Sequence, residues 1–435
     1  MKARRAFLKS MLGGIGGAAT LPYLANAGRA GVFTPGPLTN GALFSVDNPY
    51  AGIQWNKIEY VPSATHVHVE NQSKLDKVYN HFGLRHIPIS NYYPAAPYYP
   101  AKEMRENQFR AKQNFGVVYN PDSTRKGKER WTSGKYIEGP LDWNAIIMDK
   151  RTGWLNDLPK DLQEKLPFKE GDYLYKNIPS DVIISPNAEH SNFTNSSLHA
   201  CAVGSLYASG NFDVRNYYKT ADHGYAGGTS VAWQVAFKGM IEKLLFKDAG
   251  GVTVNHPTWS SLSFEEVIKM LDFDARVLGI EVYNDTCATN YGEPGRGWAL
   301  KLWDEVLNTN RKCFGFFVPD HTLGRGRNIL LVPKFSEYDC LRAYRTGTFF
   351  GALNGSSLRF TNIEISKSEL KVGLNKRSSI RIVTNNGEAQ KTSGDQAVFT
   401  IPVDANGVPA ISYVRVEAID EYSEQIFSQA IRFLK

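Results

Sequence analysis

Four cysteines are all the chain has, Cys201, Cys287, Cys313 and Cys340. No two of them form a C-x-x-C pair or stand at zinc-finger spacing, which excludes a thiolate zinc site and a dithiol redox motif. Cys201, Cys313 and Cys340 lie in or beside apolar runs and are expected as buried free thiols. Beyond the N-terminal region no run reaches eighteen consecutive apolar residues, the length a bilayer-spanning helix needs. A strong excess of one charge is missing as well. The formal net charge is +7, but Lys2, Arg4, Arg5 and Lys9 fall in residues 1–27 with no acid among them, and without them it drops to +3. That is too little to argue for a nucleic-acid partner. Histidine is also scarce, at nine in 435 residues, so the places where histidines gather carry information.

What is present begins with the N-terminus. Met1 to Lys9 reads MKARRAFLK, similar to the twin-arginine export pattern R-R-x-F-L-K, with Arg4, Arg5, Phe7, Leu8 and Lys9 in place. A mildly apolar stretch rich in Gly and Ala follows and closes on Ala25-Asn26-Ala27, a small-x-small cleavage site. Residues 1–27 are therefore expected to be a signal peptide, and the mature protein to be soluble and periplasmic or secreted, with no stable membrane anchor.

Residues 28–57 are rich in Gly, Pro and Asn and are expected as an irregular lead-in. From Ile58 the chain settles into strand–helix alternation. Leu75, Val78, Tyr79 and Phe82 keep helical spacing and Gly83 stops them. Thr229 to Asp248 is expected as a helix with Val231, Val235, Ile241, Leu244 and Leu245 on one side. Ser263-x-x-Glu266 makes a capping box for the next helix, and Ser336 caps another that ends at Gly347. Apolar runs at Val182–Ser185, Leu198–Leu206, Val252–Asn255, Val277–Tyr283 and Cys313–Val318 are expected as strands. This alternation predicts parallel strands with helices outside. Residues 91–181, rich in Tyr, Pro, Lys and Trp and without a period, are expected as an insertion. After Gly355 helical periodicity ends. Five strands with turns at Asn386-Gly387 and Asn406-Gly407 predict a small antiparallel β domain over 355–435, with no histidine to do chemistry.

Five histidines fall at or near strand ends. Thr65-His66-Val67-His68 puts two imidazoles on one face of an extended segment, because side chains alternate with period two. His256 follows the strand Val252–Asn255, Asp320-His321 follows Cys313–Val318, and Glu189 and His199 flank a polar loop. Each alone is equally what a hydrogen-bonded core histidine or a solvated loop looks like. Together, and in this order at strand ends, they supply the imidazole and carboxylate groups that a hydrolytic metal site requires.

These motifs resemble the PHP (polymerase and histidinol phosphatase-like) family over roughly residues 58–350. THVH resembles its first H-x-H motif, and Glu189 with His199 its glutamate motif and downstream histidine. AGGVTVNHPTW resembles its "GG…HP" strand, GIEVYN the strand after it, and FFVPDHT its last D-x-H-type motif. The β tail is similar to a C-terminal module of some members. The resemblance implies a distorted seven-stranded (β/α) barrel over 58–354 holding divalent metal, followed by the small all-β domain. It implies His66, His68, Glu189, His199, His256, Asp320 and His321 as ligands, with His256 and Asp320 also central to catalysis. Ser90-Asn91-Tyr92 stands where the family has T-D-H, which lowers the expected count to one or two ions of zinc, manganese or iron.

The expected activity is hydrolysis of a small phosphate ester by a metal-bound hydroxide, with Arg325 and Arg327 as a phosphate clamp. Two alternatives stand beside it: an amidohydrolase-like metal hydrolase, and a non-catalytic periplasmic binding protein on a degenerate barrel. No nucleic-acid partner is expected, only a small-molecule substrate.

Overall fold

Three strands set the frame for the site: Gly251–Asn255, Val277–Asn284 and Phe314–Val318. Every residue of GVTVN, VLGIEVYN and FGFFV is buried, and the three pair in parallel. Continuous apolar strands of this kind are what parallel sheets covered on both faces require. In the computed structural model, which describes residues 44–69, 72–90, 118–120, 130–133, 177–191, 193–205, 232–289 and 294–434, they form one side of a five-stranded sheet. That sheet is completed by His199–Val203 and Glu189–His190, both antiparallel to their neighbours. The described residues all lie within one compact unit, Pro37–Lys435. The expected signal peptide of 1–27, most of the expected lead-in and nearly all of the expected 91–181 insertion lie outside the described residues.

A second, twelve-stranded sheet carries the first histidine motif. Glu59–Ser63 runs parallel to His86–Pro88, which runs parallel to Ile183–Ser185. Its other edge pairs antiparallel with Arg327–Val332, which pairs antiparallel with Phe349–Leu353. The strand reading thus needs correction: neither Arg327–Val332 nor Phe349–Leu353 was expected, and the architecture is mixed α/β rather than parallel throughout. From Phe349–Leu353 the sheet continues through Gln425–Ser428 and Tyr413–Asp420 to Ile431–Phe433 and Val46–Asp47. The long hairpin Glu369–Thr384/Gly387–Thr400 joins it along Tyr413–Asp420 and pairs with Phe360–Ser366.

Backbone hydrogen bonds join the two sheets on both sides. Val67 bridges Asp320 in parallel, with His68 N donating to Asp320 O at 3.1 Å and Asp320 N to His66 O at 3.0 Å. On the other side Ser90 N donates to Val67 O and Glu189 N to Ser90 O. The bonds therefore run in a closed circuit, from the 66–68 segment through Ser90, Glu189, His199–Val203, Gly251–Asn255 and Val277–Asn284 to Asp320 and back.

Helices pack against both sheets. Phe264–Leu271 starts with the expected capping box of Ser263 and Glu266 and buries Val267, Met270 and Leu271. Leu300–Asn308 buries Trp303, Val306 and Leu307. Glu337–Thr346 is capped by Ser336 and stopped by Gly347, whose φ of 77° suits a residue without a β-carbon. The helix expected over 229–248 is shorter, Trp233–Glu242, and rotated. Its buried face is Trp233, Ala236, Phe237, Met240 and Ile241, and Val235 is 58% exposed. The large rings at i and i+4 decide the face, because they bury more area than one valine.

Candidate metal centre

The site forms where the closed circuit brings strand ends together. His66 and His68 follow Glu59–Ser63, Glu189 begins its short strand, His256 follows Gly251–Asn255, and Asp320 follows Phe314–Val318. All five are buried. His66 Nε2 lies 3.2 Å from His68 Nε2, 3.1 Å from Asp320 Oδ1 and 3.3 Å from Glu189 Oε2. His68 Nε2 lies 3.0 Å from Glu189 Oε2 and 3.4 Å from Asp320 Oδ1. Two imidazole nitrogens and two carboxylate oxygens thus face one another across one small space. Glu189 extends the cluster through its other oxygen, 2.7 Å from His199 Nδ1 and 3.3 Å from His256 Nε2.

Two of these residues hold unusual backbones. His256 has φ of 24° and Asp320 of 57°. Non-glycine residues held at positive φ cost on the order of 1–3 kcal/mol each and persist where surrounding structure enforces them, commonly at functional sites. Here the two bonds between Asp320 and the His66–His68 backbone, and the bond from His256 N to Glu281 Oε2 at 2.7 Å, do the enforcing.

Burial and mutual charge compete at each group. Burial alone would lower the pKa of His66, but Asp320 and Glu189 override it and raise it well above the usual histidine value. His256 is raised in the same way, mainly by its bond to Glu189. In His68 burial wins and the value falls. Glu189 and Asp320 stay ionised: burial would raise both, and the charge on His66 holds each well below the usual carboxylate range.

The donor set fits a divalent cation. Asp320 Oδ1 is buried and accepts no hydrogen bond among the described residues, although His66 Nε2 is close by. Buried polar atoms are almost always paired, so an orphan of this kind calls for an occupant. A proton between two of the four facing atoms would satisfy one pair, whereas a cation satisfies all four. Three groups of residues place their ligand atoms close enough to share an ion: His66, His68, Glu189 and Asp320; His66, His256 and Glu281; and Glu189, His199 and His256. Mixed imidazole and carboxylate ligation suits zinc, manganese or iron.

The structure therefore brings together His66, His68, Glu189, His199, His256 and Asp320. His321 lies against this set without joining its ligand groups. Its ring stacks on His68 at 3.7 Å and 15°, its Nε2 is 3.7 Å from Asp320 Oδ1, and its side chain is 40% exposed. Arg325 is exposed, with its Nε donating to the Tyr283 hydroxyl at 3.1 Å. Arg327 requires a correction. It is 8% exposed, donates to the Phe82 carbonyl at 2.6 Å and stacks 4.0 Å over the Phe82 ring. That guanidinium is committed to packing and makes no clamp with Arg325.

Sequence reasoning missed Glu281. Its Oε1 lies 2.7 Å from His66 Nδ1, and its Oε2 accepts from His256 N and from Asn284 Nδ2. The signal was available: Glu281 is the one carboxylate in the middle of VLGIEVYN, and a charge inside an apolar strand needs a partner. Ser260 Oγ, 3.2 Å from His256 Nδ1, and Trp259, edge-on to His256 and His199, were also unread.

No family model and no curated protein matches the chain. Among solved structures it is similar to a two-domain protein containing a predicted PHP-like metal-dependent phosphoesterase from Bacteroides vulgatus. Identity is 10%, the match covers 88% of this chain and 94% of that one, and the TM-score is 0.35. A likeness that slight carries no inference beyond the geometry above.

Proposed function

We propose that the chain is a metal-dependent hydrolase of small phosphate esters. The observation that supports this best is the convergence of His66 Nε2, His68 Nε2, Glu189 Oε2 and Asp320 Oδ1 in one buried space, with Asp320 Oδ1 accepting no hydrogen bond among the described residues. In this reading the closed circuit of backbone bonds is the rim of a distorted seven-stranded barrel, and ligands sit at strand ends as they do on other barrels. A divalent ion held there supplies Lewis acidity and makes water a competent nucleophile near neutral pH. The protein's part is to hold the ligand atoms and to leave a way in. His199 and His321, with side chains 21% and 40% exposed, are the members of the cluster that meet solvent, and they mark the mouth. Arg325, fixed by Asp285 through its backbone N–H at 2.7 Å, is the exposed cation in the loop that follows Asp320 and is suited to a phosphoryl oxygen.

The purified protein is expected to carry zinc, manganese or iron at about one to two equivalents. His256→Ala should lower that content and abolish hydrolysis, while His81→Ala, an exposed residue, should change neither. Elemental analysis of both variants, with turnover on phosphate esters, amides and lactones in parallel, tests metal and substrate class together. Protein that holds no metal and takes none up would end the enzyme reading, and turnover of amides alone would replace the phosphoesterase by an amidohydrolase.

We also propose export by the twin-arginine route, on the strength of Arg4, Arg5 and the Ala25-Asn26-Ala27 site. Replacing both arginines by lysine should leave the protein in the cytoplasm. Unchanged periplasmic yield would assign the signal to a different route.

A further inference from the structure

The strand Val277–Asn284 supplies none of the four facing atoms, yet its end touches the residues that do. Glu281 Oε1 lies 2.7 Å from His66 Nδ1. Asn284 Nδ2 donates both to Glu281 Oε2 at 2.9 Å and to Asp320 Oδ2 at 3.1 Å. Glu281 Oε2 and Asp320 Oδ2 therefore accept from N–H donors and Glu281 Oε1 faces a ring nitrogen of His66, which leaves Asp320 Oδ1 as the one of these four oxygens that accepts no hydrogen bond among the described residues. A histidine that binds a cation through Nε2 must carry its proton on Nδ1, and a carboxylate beside Nδ1 fixes that tautomer.

We propose that Glu281 and Asn284 are positioning residues for the metal centre: Glu281 fixes His66 with Nδ1 protonated and Nε2 inward, and Asn284 turns Asp320 so that Oδ1 faces the same space. This rests on the metal-centre reading above. The alternative role for Glu281 is that of a ligand itself, sharing an ion with His66 and His256. The bonds favour positioning, because Oε2 already accepts from His256 N at 2.7 Å and from Asn284, and Oε1 is at hydrogen-bond distance from an imidazole nitrogen. The geometry that permits it is a bulge. Glu281 pairs with Phe316 and Tyr283 with Phe317, so Val282 is an extra residue in the strand. In a regular strand residues 281 and 284 would face opposite sides. The inserted residue brings both side chains to the same place.

The test uses Glu281→Gln and Asn284→Ala in the full chain, with Zn²⁺ alone as the probe. Saturating stoichiometry is read by elemental analysis, affinity by competition with a chelator, and the His66 tautomer by nitrogen-15 NMR of metal-free protein at alkaline pH, assigned against His66→Gln. Positioning predicts unchanged stoichiometry and affinity lower by about 10- to 100-fold in each variant. It also predicts that in Glu281→Gln the His66 ring shifts from the Nδ1-protonated form to a mixture. One ion fewer at saturation, with the remaining affinity unchanged, would make Glu281 a ligand and overturn the proposal. Unchanged affinity and tautomer in both variants would overturn it too. If the wild type binds no zinc the metal-centre reading fails by itself, while the tautomer still decides what Glu281 does. If Glu281→Gln does not fold, Asn284→Ala carries the affinity test.

Discussion

His66 and His256 hold protons more tightly than an ordinary histidine because carboxylates surround them, whereas His68 does not. A cation entering the cluster must expel what they hold. Metal uptake is therefore expected to release up to two protons below the raised values of these histidines and progressively fewer above them, since Glu189 and Asp320 are already ionised. Calorimetric titration with zinc in buffers of different ionisation enthalpy measures this directly. The sign also sets the behaviour of metal-free protein. Groups whose values are raised on folding stabilise fully below about 6.5, and that contribution is lost as pH rises through the raised values. His190 works the other way. Burial pushes it down to about 3, so it favours unfolding as pH falls from about 6.5 towards that value. His190→Phe should flatten the acid side of the melting curve relative to wild type. Among residues, those at strand ends were legible because imidazoles and carboxylates there have few structural uses. Arg327 was not, because its fate depends on the Phe82 ring and carbonyl some 245 positions away.

Elements were legible where local chemistry decides them. The Ser263–Glu266 capping box and the Ser336 cap with its Gly347 stop stand where the sequence puts them. Ser263→Ala is expected to cost about 1 kcal/mol in denaturant unfolding and to leave metal content unchanged. Two of the strands that went unread, Arg327–Val332 and Phe349–Leu353, are set by pairing with Glu59–Ser63 and Gln425–Ser428, partners that no local window contains. The bulge at Val282 escaped for a related reason: period-two alternation assigns Asn284 to the face opposite Glu281. Gly279, two residues before Glu281, shows how tightly that strand sits. A β-carbon there would lie 2.0 Å from the Phe314 carbonyl oxygen, a backbone atom that cannot swing away. Gly279→Ala should lower the melting temperature sharply and reduce metal content with it, both readable on one preparation.

At the scale of the molecule, the C-terminal strands are tied to the elements that build the site. Asp304, on the helix Leu300–Asn308, accepts from the Tyr413 hydroxyl at 2.8 Å and from Arg415 at 3.0 and 3.1 Å, and Arg415 also pairs with Glu417. Asp304→Ala leaves the buried Arg415 with one partner instead of two and should destabilise by roughly 2–4 kcal/mol. A single unfolding transition in calorimetry would show that the destabilisation is shared by the whole chain, and metal should be released across the same transition. The pairing of Glu59–Ser63 with Arg327–Val332 has a consequence in time. A ribosome adds roughly 5–20 residues per second, and about 260 residues separate the two strands. One edge of the strand that leads into His66 and His68 therefore emerges tens of seconds before its partner exists. During synthesis that edge is open to any other extended chain, so the burden of keeping the nascent protein from aggregating falls on whatever binds its first hundred residues.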